Sequence, residues 1–313
     1  MNIGFEKNVG ITFALIYLAL CLASVFVFYL TKKQPEKNHQ ELALRTKSWW
    51  VMISLISGSF LLGETTTIIL FGLISFLALK EYFSMIPTRY EDRSVLFWCY
   101  LAGIVQYVWV AHSWYGMFII FIPVYMFVLV PIRMLLRGKT EGFLTASSSI
   151  QWGLMVAVFG LSHAVLLVSV DHTTLGEMSG GFGLLLFLLL LTQFNDIAQY
   201  VWGKSFGKRA IVPSVSPNKT YEGFIGGAAT TIILSVLIAP YLTPFSWYMA
   251  LIAGVIIALA GFIGDVNMSA LKRDIGVKDS SSFIPGHGGV LDRIDSLSFT
   301  APLFFHFTYY FYY

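Results

Sequence analysis

Charged side chains are scarce in this sequence. Asp, Glu, Lys and Arg make up 12% of its 313 residues, whereas soluble domains usually contain about 25%. Hydrophobic residues make up 57%, and a membrane crossing requires about 20 of them in succession. This composition excludes a secreted disulfide scaffold, a DNA-binding domain and most soluble enzymes. It indicates an all-α, polytopic integral membrane protein with no nucleic-acid partner.

Cysteine is also scarce, and both residues, Cys21 and Cys99, lie within apolar runs. They cannot form a zinc site unaided, and the sequence contains no H-E-x-x-H motif. We interpret both as small hydrophobic side chains in packed helices. The sequence also lacks the G-x-x-x-x-G-K-[ST] pattern of a P-loop and the G-x-S-x-G pattern of a serine hydrolase.

Apolar runs of spanning length predict about ten transmembrane helices. They cover residues 9–30, 48–63, 65–80, 95–111, 114–132, 150–170, 181–202, 223–242, 246–264 and 297–313. The second and third runs are short and meet near Gly63, so they also fit a re-entrant pair. We divide the chain into an N-terminal transmembrane region, 1–175, and a C-terminal transmembrane region, 176–313, with about six and about four helices respectively.

The basic residues are distributed unevenly between the loops. All of the 20 Lys and Arg residues except Lys7 fall in five alternate loops. Loops rich in Lys and Arg stay in the cytoplasm, so this distribution predicts that both termini lie on the opposite side. The loop at 31–47 is polar enough to be a flexible linker. Another loop holds charges that we interpret as solvated and locally paired, namely Glu81, Arg89, Glu91, Asp92 and Arg93.

Polar residues are concentrated at 195–223. Asp196 lies near the end of a predicted span, where an unpaired carboxylate is costly and functional by default. Glycines and lysines alternate at 203–208, which lets N–H and ammonium groups approach a phosphate together. The segment 216–220 resembles a capped helix start with an anion-binding N-terminus. A basic surface loop that contacts lipid headgroups would explain the same residues.

The loop at 264–296 combines acids, bases and glycines. Its charged residues and histidine are Asp265, Lys272, Arg273, Asp274, Lys278, Asp279, His287, Asp292, Arg293 and Asp295. The Gly-His-Gly-Gly run at 286–289 permits close backbone approach to a ligand. Carboxylates bind Mg²⁺ together with phosphate oxygens and water, and cations stabilise charge on a phosphorus centre. These residues point to metal-assisted chemistry on a phosphorylated substrate at the cytoplasmic face.

The same loop resembles the signature of a known family. The run Ser269-x-Leu271-Lys272-Arg273-x4-Lys278-Asp279-x-Ser281-x2-Ile284-Pro285-x-His287-Gly288-Gly289-Val290-x-Asp292-Arg293-Ile294-Asp295 closely resembles the phosphatidate cytidylyltransferase (CDP-diacylglycerol synthase) pattern. Upstream positions that also resemble this family are Asp196, Ala198, Tyr200, Gly203, Lys204, Gly207, Lys208, Ser216, Pro217, Lys219, Thr220, Glu222 and Gly223. The resemblance is specific over about 195–296, and the apolar pattern elsewhere is compatible with it.

The resemblance implies that CTP and phosphatidate react to give CDP-diacylglycerol and pyrophosphate. It implies Mg²⁺ as the cofactor, with a second cation as an open alternative, and it suggests a homodimer. A lipid phosphate oxygen would attack the α-phosphorus of CTP in line, so no protein nucleophile is required. We expect a bacterial inner membrane location, with the active site facing the cytoplasm and both termini in the periplasm.

Matching positions imply roles for individual residues. Asp265 and Asp292 are the expected metal ligands, and Asp196 is a further candidate for metal or ribose contact. The catalytic candidates are Asp265, Asp292, Lys272, Arg273 and His287. The substrate-binding candidates are Asp196, Lys204, Ser216, Lys219, Thr220, Lys278, Asp279, Gly288, Gly289 and Arg293. Helix capping stays open for His287, as does ion pairing of Asp279 and Asp295 with Lys278 and Arg293.

Two alternative functions stay open. CTP transfer to a different lipid phosphate fits the same motifs, because they lie at the headgroup end and carry no information about acyl chains. A transporter or lipid scaffold could bind anionic lipid at the polar loop without catalysis. Intramembrane charge is scarce outside the site, and no inverted repeat with broken helices is evident, which disfavours a transporter.

Overall fold

The computed structural model describes residues 7–33, 39–87, 89, 92–136, 140–169 and 180–312. Ten long helices form most of this part of the chain. They are α1 (Lys7–Lys33), α2 (Gln40–Leu62), α3 (Glu64–Met85), α4 (Arg93–Ala111), α5 (Tyr115–Leu135), α6 (Phe143–Ser169), α7 (Gly181–Phe206), α8 (Tyr221–Leu242), α9 (Trp247–Asp274) and α10 (Leu297–Tyr312). An antiparallel hairpin of β1 (Ala210–Val212) and β2 (Ser216–Thr220) joins α7 to α8, and a short helical turn, Leu291–Ile294, precedes α10.

The all-α, polytopic membrane architecture is confirmed. Each predicted apolar run coincides with a helix, and eight helices in the described part are long and apolar enough to cross a membrane. α2 and α10 do not meet that criterion; α2 begins with polar turns, and α10 has only 16 residues. The count of ten crossings therefore stays a prediction, as does the side on which each loop lies.

The expectation of a flexible linker over 31–47 is wrong at both ends. α1 continues to Lys33 and α2 begins at Gln40, whereas 34–38 lies outside the described residues. Arg45 pairs with Glu41 one turn earlier, with a distance of 2.6 Å between nitrogen and oxygen, and such pairs support exposed helices. A polar helix contains no long apolar run, so a search for membrane spans misses it.

α6 lies at the centre of the helix bundle, and α1 lies at its edge. In an apolar stretch of 18 residues within each helix, 78% of the α6 residues are buried, whereas only 11% of the α1 residues are buried. The buried core continues from α6 into α3, α4, α7 and α10. The two sequence regions divided at residue 175 therefore share one core, and the position of that division stays a prediction.

Glycines let the helices around the site approach closely. An added Cβ at Gly223 of α8 would lie 2.9 Å from the carbonyl oxygen of Gln199 and 2.9 Å from the Cα of Gly203, both on α7. An added Cβ at Gly254 of α9 would lie 2.9 Å from the Cα of Ile232 on α8. Backbone atoms cannot move aside as a flexible side chain can, so close approach here depends on glycine. The polar ends of α7, α8 and α9 consequently lie side by side.

Candidate active site

Two ion pairs bring the predicted site residues together. Lys219, at the end of β2, places its Nζ 2.7 Å from Oδ2 of Asp265 on α9. Lys272, on the same helix, places its Nζ 2.9 Å from Oδ1 of Asp292. Positions 265 and 272 lie about two helical turns apart on one face of α9. That face therefore joins the motif at 195–223 to the motif at 264–296.

Three carboxylates crowd together beside the first ion pair. Asp196 on α7 is buried and lies close enough to Asp295 and Asp265 for their negative charges to act on its carboxyl group. The Ser296 hydroxyl donates a hydrogen bond to Oδ1 of Asp196 at 3.1 Å. Burial, reinforced by the charge of Asp265, raises the pKa of Asp295 well above its usual range. A cation or a proton between these groups would relieve their repulsion.

Asp292 has a different environment, because the loop itself surrounds its carboxylate. Its Oδ2 accepts hydrogen bonds from the Ser280 N–H and the Ser280 hydroxyl, both at 2.9 Å, and from the Gly289 N–H at 3.0 Å. Burial alone would raise the pKa of Asp292, but hydrogen bonds from Lys272, Gly289 and Ser280 outweigh burial and lower it. Asp292 is therefore a fixed anion at the base of the loop.

Glu81, near the end of α3, holds the same loop from the N-terminal half of the chain. Its Oε1 accepts hydrogen bonds from the Ser281 hydroxyl at 2.7 Å and the Val290 N–H at 3.0 Å. Its Oε2 accepts from the Leu291 N–H at 2.8 Å and lies 3.2 Å from the Ser280 hydroxyl, whose single proton it shares with Asp292. The interpretation of Glu81 as a solvated charge is wrong. That of Arg89 and Asp92 as locally paired is confirmed by their 2.6 Å ion pair.

α2 holds the tip of the loop. The Arg45 Nε donates a hydrogen bond to the Gly286 carbonyl at 3.1 Å, and the Ser48 hydroxyl donates one to the Pro285 carbonyl at 2.7 Å. Gly286 has a φ of +75°, which favours glycine, and an added Cβ there would lie 3.1 Å from the Arg45 backbone nitrogen. The N-terminal half therefore contributes to the shape of the C-terminal motif.

His287 lies within this tip and does not cap a helix. Its N–H donates a hydrogen bond to the Ile284 carbonyl at 2.9 Å, and its ring packs edge-on against Trp49, with centroids 5.9 Å apart. Burial and the positive charges of Arg293 and Arg45 lower the pKa of His287. The imidazole is therefore neutral at neutral pH, and its one ring N–H can donate a hydrogen bond to a phosphate oxygen.

Gly288 and Gly289 make room for carboxylates of the protein itself. An added Cβ at Gly288, whose φ is +79°, would lie 2.7 Å from Oδ2 of Asp292. An added Cβ at Gly289 would overlap with the Ser280 hydroxyl and lie 2.5 Å from Oε2 of Glu81. In the structure, the backbone at these glycines approaches the side chains that shape the loop. Close approach to a ligand stays a prediction.

Parts of the 195–223 motif differ from expectation. α7 continues to Phe206, so Gly203 and Lys204 belong to a helix rather than to a phosphate-binding loop. Ser216 lies in β2, and the helix cap is Thr220, whose hydroxyl accepts a hydrogen bond from the Gly223 N–H at 3.1 Å. A capped start therefore exists, but it begins four residues later than the Ser-Pro pair indicates.

Other predicted site residues lie outside these contacts. Lys204 is exposed, and its Nζ lies 5.7 Å from the ring centroid of Tyr200. Lys278 and Asp279 are also exposed, and the described residues contain no ion pair between them. Arg273 donates a hydrogen bond from Nε to the Val215 carbonyl at 3.3 Å, which ties the end of α9 to the hairpin. The positive charge of Arg293 acts on the buried carboxyl of Asp295.

The donor set at the carboxylate cluster fits a hard divalent cation. Asp196, Asp265 and Asp295 supply carboxylates from three different segments, and the Asp265 side chain is 34% exposed. Within the described residues, no three such side chains converge into a complete metal site. Mg²⁺ usually takes only one or two protein carboxylates and fills its remaining positions with phosphates and water. The arrangement therefore suits Mg²⁺ delivered with a phosphorylated substrate.

Known proteins resemble this chain over nearly its full length. The model of a cytidylyltransferase family matches residues 43–311. The uncharacterized protein YnbB of Escherichia coli (strain K12) is 45% identical, over 96% of this chain and 97% of its own. The phosphatidate cytidylyltransferases of Staphylococcus aureus (strain COL) and Staphylococcus haemolyticus (strain JCSC1435) are 30% and 28% identical, over 84% of this chain and 97% of theirs.

Proposed function

The chain belongs to the cytidylyltransferase family, and from this premise we propose that it is a phosphatidate cytidylyltransferase of phospholipid biosynthesis. It would transfer CMP from CTP to phosphatidate, giving CDP-diacylglycerol and pyrophosphate. The observation that carries the proposal is the ion pair Lys219–Asp265, which joins the two motif regions. The pair Lys272–Asp292 places a second ammonium group and a second carboxylate of the 264–296 motif in the same site. The relatives named phosphatidate cytidylyltransferase support this acceptor.

The reaction requires positioning and charge neutralisation rather than a protein nucleophile. A phosphate oxygen of phosphatidate forms a bond to the α-phosphorus of CTP. The bond from this phosphorus to the oxygen that bridges to the β-phosphate breaks, and pyrophosphate leaves with the electron pair. Lys219 and Lys272 each carry three N–H donors. An ammonium group that faces one carboxylate oxygen therefore keeps donors for the phosphates.

The acidic residues have distinct proposed roles. Asp265 and Asp292, with Asp196 as a further ligand, would hold Mg²⁺, with or without a second cation, which would reduce the charge on the triphosphate. Asp265 is the more accessible of the two main candidates, because the oxygens of Asp292 face Lys272, Ser280 and Gly289. In the arrangement described, Asp292 fixes the ammonium group of Lys272 in the site.

The proposed location follows from the substrates and the charge pattern. Phosphatidate is a membrane lipid and CTP is a cytoplasmic nucleotide, so a site at the cytoplasmic face of a bacterial inner membrane can reach both. The bacterial relatives support a bacterial membrane. A homodimer is part of the same proposal and rests on the family resemblance.

The test is pyrophosphate release by the purified protein in detergent, with CTP, Mg²⁺ and phosphatidate. We expect release that requires both substrates, stops with EDTA and falls by at least about a hundredfold in Asp265→Asn, because electrostatic stabilisation of the transferring phosphoryl group usually makes the largest contribution to catalysis. Asp274→Asn is the matched control, since it changes an exposed aspartate at the end of the same helix.

Each other outcome has a definite meaning. CTP-dependent release that does not respond to phosphatidate would indicate a different lipid phosphate as acceptor, and a panel of such lipids would identify it. Activity that persists in EDTA would contradict the metal-assisted mechanism. No release with any lipid phosphate would favour a binding or transport protein.

A further inference from the structure

The carboxylates of Glu81 and Asp292, one from each half of the chain, bind both ends of the loop that precedes Asp292. Asp292 accepts hydrogen bonds from Ser280 and Gly289. Glu81 of α3 accepts hydrogen bonds from the neighbours of those residues, Ser281 and Val290, and from Leu291. The loop therefore begins and ends on the same pair of anions.

The hydrogen bonds that Glu81 accepts are stronger than hydrogen bonds between neutral groups. Hydrogen bonds to an ionised acceptor are about twice as strong as those between neutral groups. The Val290 and Leu291 N–H groups, 3.0 and 2.8 Å from Glu81, are partly buried, and an N–H group that loses its partner away from water is destabilising. Removal of the Glu81 carboxylate would therefore loosen both ends of the loop and leave Asp292 as their remaining anchor.

Glu81 is also attached to a rigid part of the molecule. Its neighbours in α3, Ala78, Leu79 and Tyr82, are 0%, 1% and 1% exposed. The Tyr82 hydroxyl donates a hydrogen bond to the Ser149 carbonyl on α6 at 2.7 Å. A carboxylate on a packed helix can impose its position on a loop, whereas the loop cannot readily move the helix.

From these contacts we infer that Glu81 is a positioning residue for cytidylyl transfer, acting through the loop on Asp292 and Lys272. Two routes lead to Asp292. The Ser280 hydroxyl lies 3.2 Å from Oε2 of Glu81 and 2.9 Å from Oδ2 of Asp292. The Leu291 N–H, which is bound to Glu81, immediately precedes Asp292 in the chain. Asp292 in turn holds Lys272 at 2.9 Å. This inference rests on the proposed function.

The test compares Glu81→Gln with wild type by two measurements. Hydrogen–deuterium exchange should be about tenfold faster at the amides of Val290 and Leu291, because their acceptor is weakened and partly replaced by an N–H donor. The kcat of pyrophosphate release should fall about tenfold to a hundredfold, as is usual for residues that orient catalytic groups. The KM for CTP should change by less than about threefold, since Lys219 is unaffected.

Two further variants sharpen the measurement. Glu64→Gln, at the exposed opposite end of α3, is the matched control and should resemble wild type in both measurements. Ser280→Ala removes the hydroxyl that links the two carboxylates. If Glu81 acts through Ser280, the effects of Glu81→Gln and Ser280→Ala on kcat will be less than additive in the double variant.

The outcomes separate the inference from the proposed function. Wild-type kcat in Glu81→Gln, with faster exchange or without it, would overturn the positioning role. Strictly additive effects on kcat would overturn the route through Ser280. A wild-type protein that releases no pyrophosphate from CTP would instead refute the proposed function, and with it any role for Glu81 in transfer. If Glu81→Gln fails to fold, Ser281→Ala, which removes one of the four hydrogen bonds, provides the milder change.

Discussion

Lys272 and Asp292 show how the site tolerates buried charge. Their side chains are only 12% and 6% exposed, and burying an ion pair costs more than their attraction returns unless further hydrogen bonds satisfy the charged atoms. Ser280 and Gly289 supply those hydrogen bonds to Asp292. The charge is therefore held in place by the fold before any substrate binds.

This environment makes the contribution of Asp292 to stability depend on pH. The pKa of Asp292 is lowered in the folded protein, so its charge stabilises the fold above the unfolded pKa of about 3.9, and this contribution is lost as pH falls through the lowered folded value. We expect Asp292→Asn to unfold at a lower apparent Tm than wild type at neutral pH. The difference in Tm should shrink below about pH 4.

Thermal unfolding in detergent between about pH 3 and pH 8 measures this effect. Asp274→Asn serves as the control, because Asp274 is exposed at the end of α9. A Tm difference between wild type and Asp292→Asn that is the same at every pH would contradict the assignment of Asp292 as a stabilising anion.

The sequence predicts which residues belong to the site better than it predicts which residues they contact. The sequence indicates that Asp265, Asp292, Lys219 and Lys272 share a site, and the structure pairs them. It does not indicate Glu81, because a single acid at the end of an apolar run resembles any solvated charge. Its partner Ser280 is 199 residues away. A contact of this range depends on tertiary packing, which local pattern does not encode.

At the scale of helices, hydrophobicity located each element but not its ends. α9 continues to Asp274, well beyond the predicted end at 264, and α7 continues to Phe206 rather than to 202. An apolar run reports the thickness of the membrane, whereas backbone hydrogen bonding continues past the hydrocarbon for as long as side chains permit. These extra turns matter, because one of them carries Lys272.

The close approach of α7 and α8 yields a prediction for this scale. Gly223→Ala would place a Cβ 2.9 Å from backbone atoms of Gln199 and Gly203, so the helices must separate. We expect a loss of about 1–3 kcal/mol in the free energy of unfolding, as for other overpacked cores. Activity should also fall, because Lys219 lies just before α8 and would move away from Asp265.

The apparent Tm and the rate of pyrophosphate release measure both effects. Gly58→Ala in α2 is the control, because an added Cβ there meets no atom within 4 Å. Equal Tm and equal activity in Gly223→Ala and Gly58→Ala would show that the α7–α8 contact does not position Lys219.

At the scale of the whole molecule, the catalytic motif depends on helices that lack any motif. The loop between α9 and the turn at Leu291–Ile294, here called the signature loop, is bound at its tip by Arg45 and Ser48 of α2. Glu81 of α3 binds the base of the same loop. The sequence alone does not link α2 and α3 to the site, because the residues that resemble the family signature lie only at about 195–296. In the folded protein the N-terminal half supplies the rigid support, and the C-terminal half supplies the charged groups of the site.

The charge distribution predicts how the whole molecule lies in the membrane. All of the 20 Lys and Arg residues except Lys7 fall in alternate predicted loops, and this distribution predicts that the site faces the cytoplasm. We expect that His112→Cys, between α4 and α5, reacts with a membrane-impermeant maleimide in spheroplasts. Ser282→Cys, in the signature loop, should react only in inside-out vesicles. Both positions are exposed.

Both cysteine variants are made in a background in which Cys21 and Cys99 are replaced by alanine, and pyrophosphate release confirms that each variant is folded. Five long helices, α5 to α9, lie between the two labelled positions. An odd number of crossings puts the positions on opposite sides, so labelling of both from the same side would contradict the number of crossings. The reversed pattern would instead keep the crossings and place the site outside the cytoplasm, where CTP is absent, and would thereby contradict the proposed reaction.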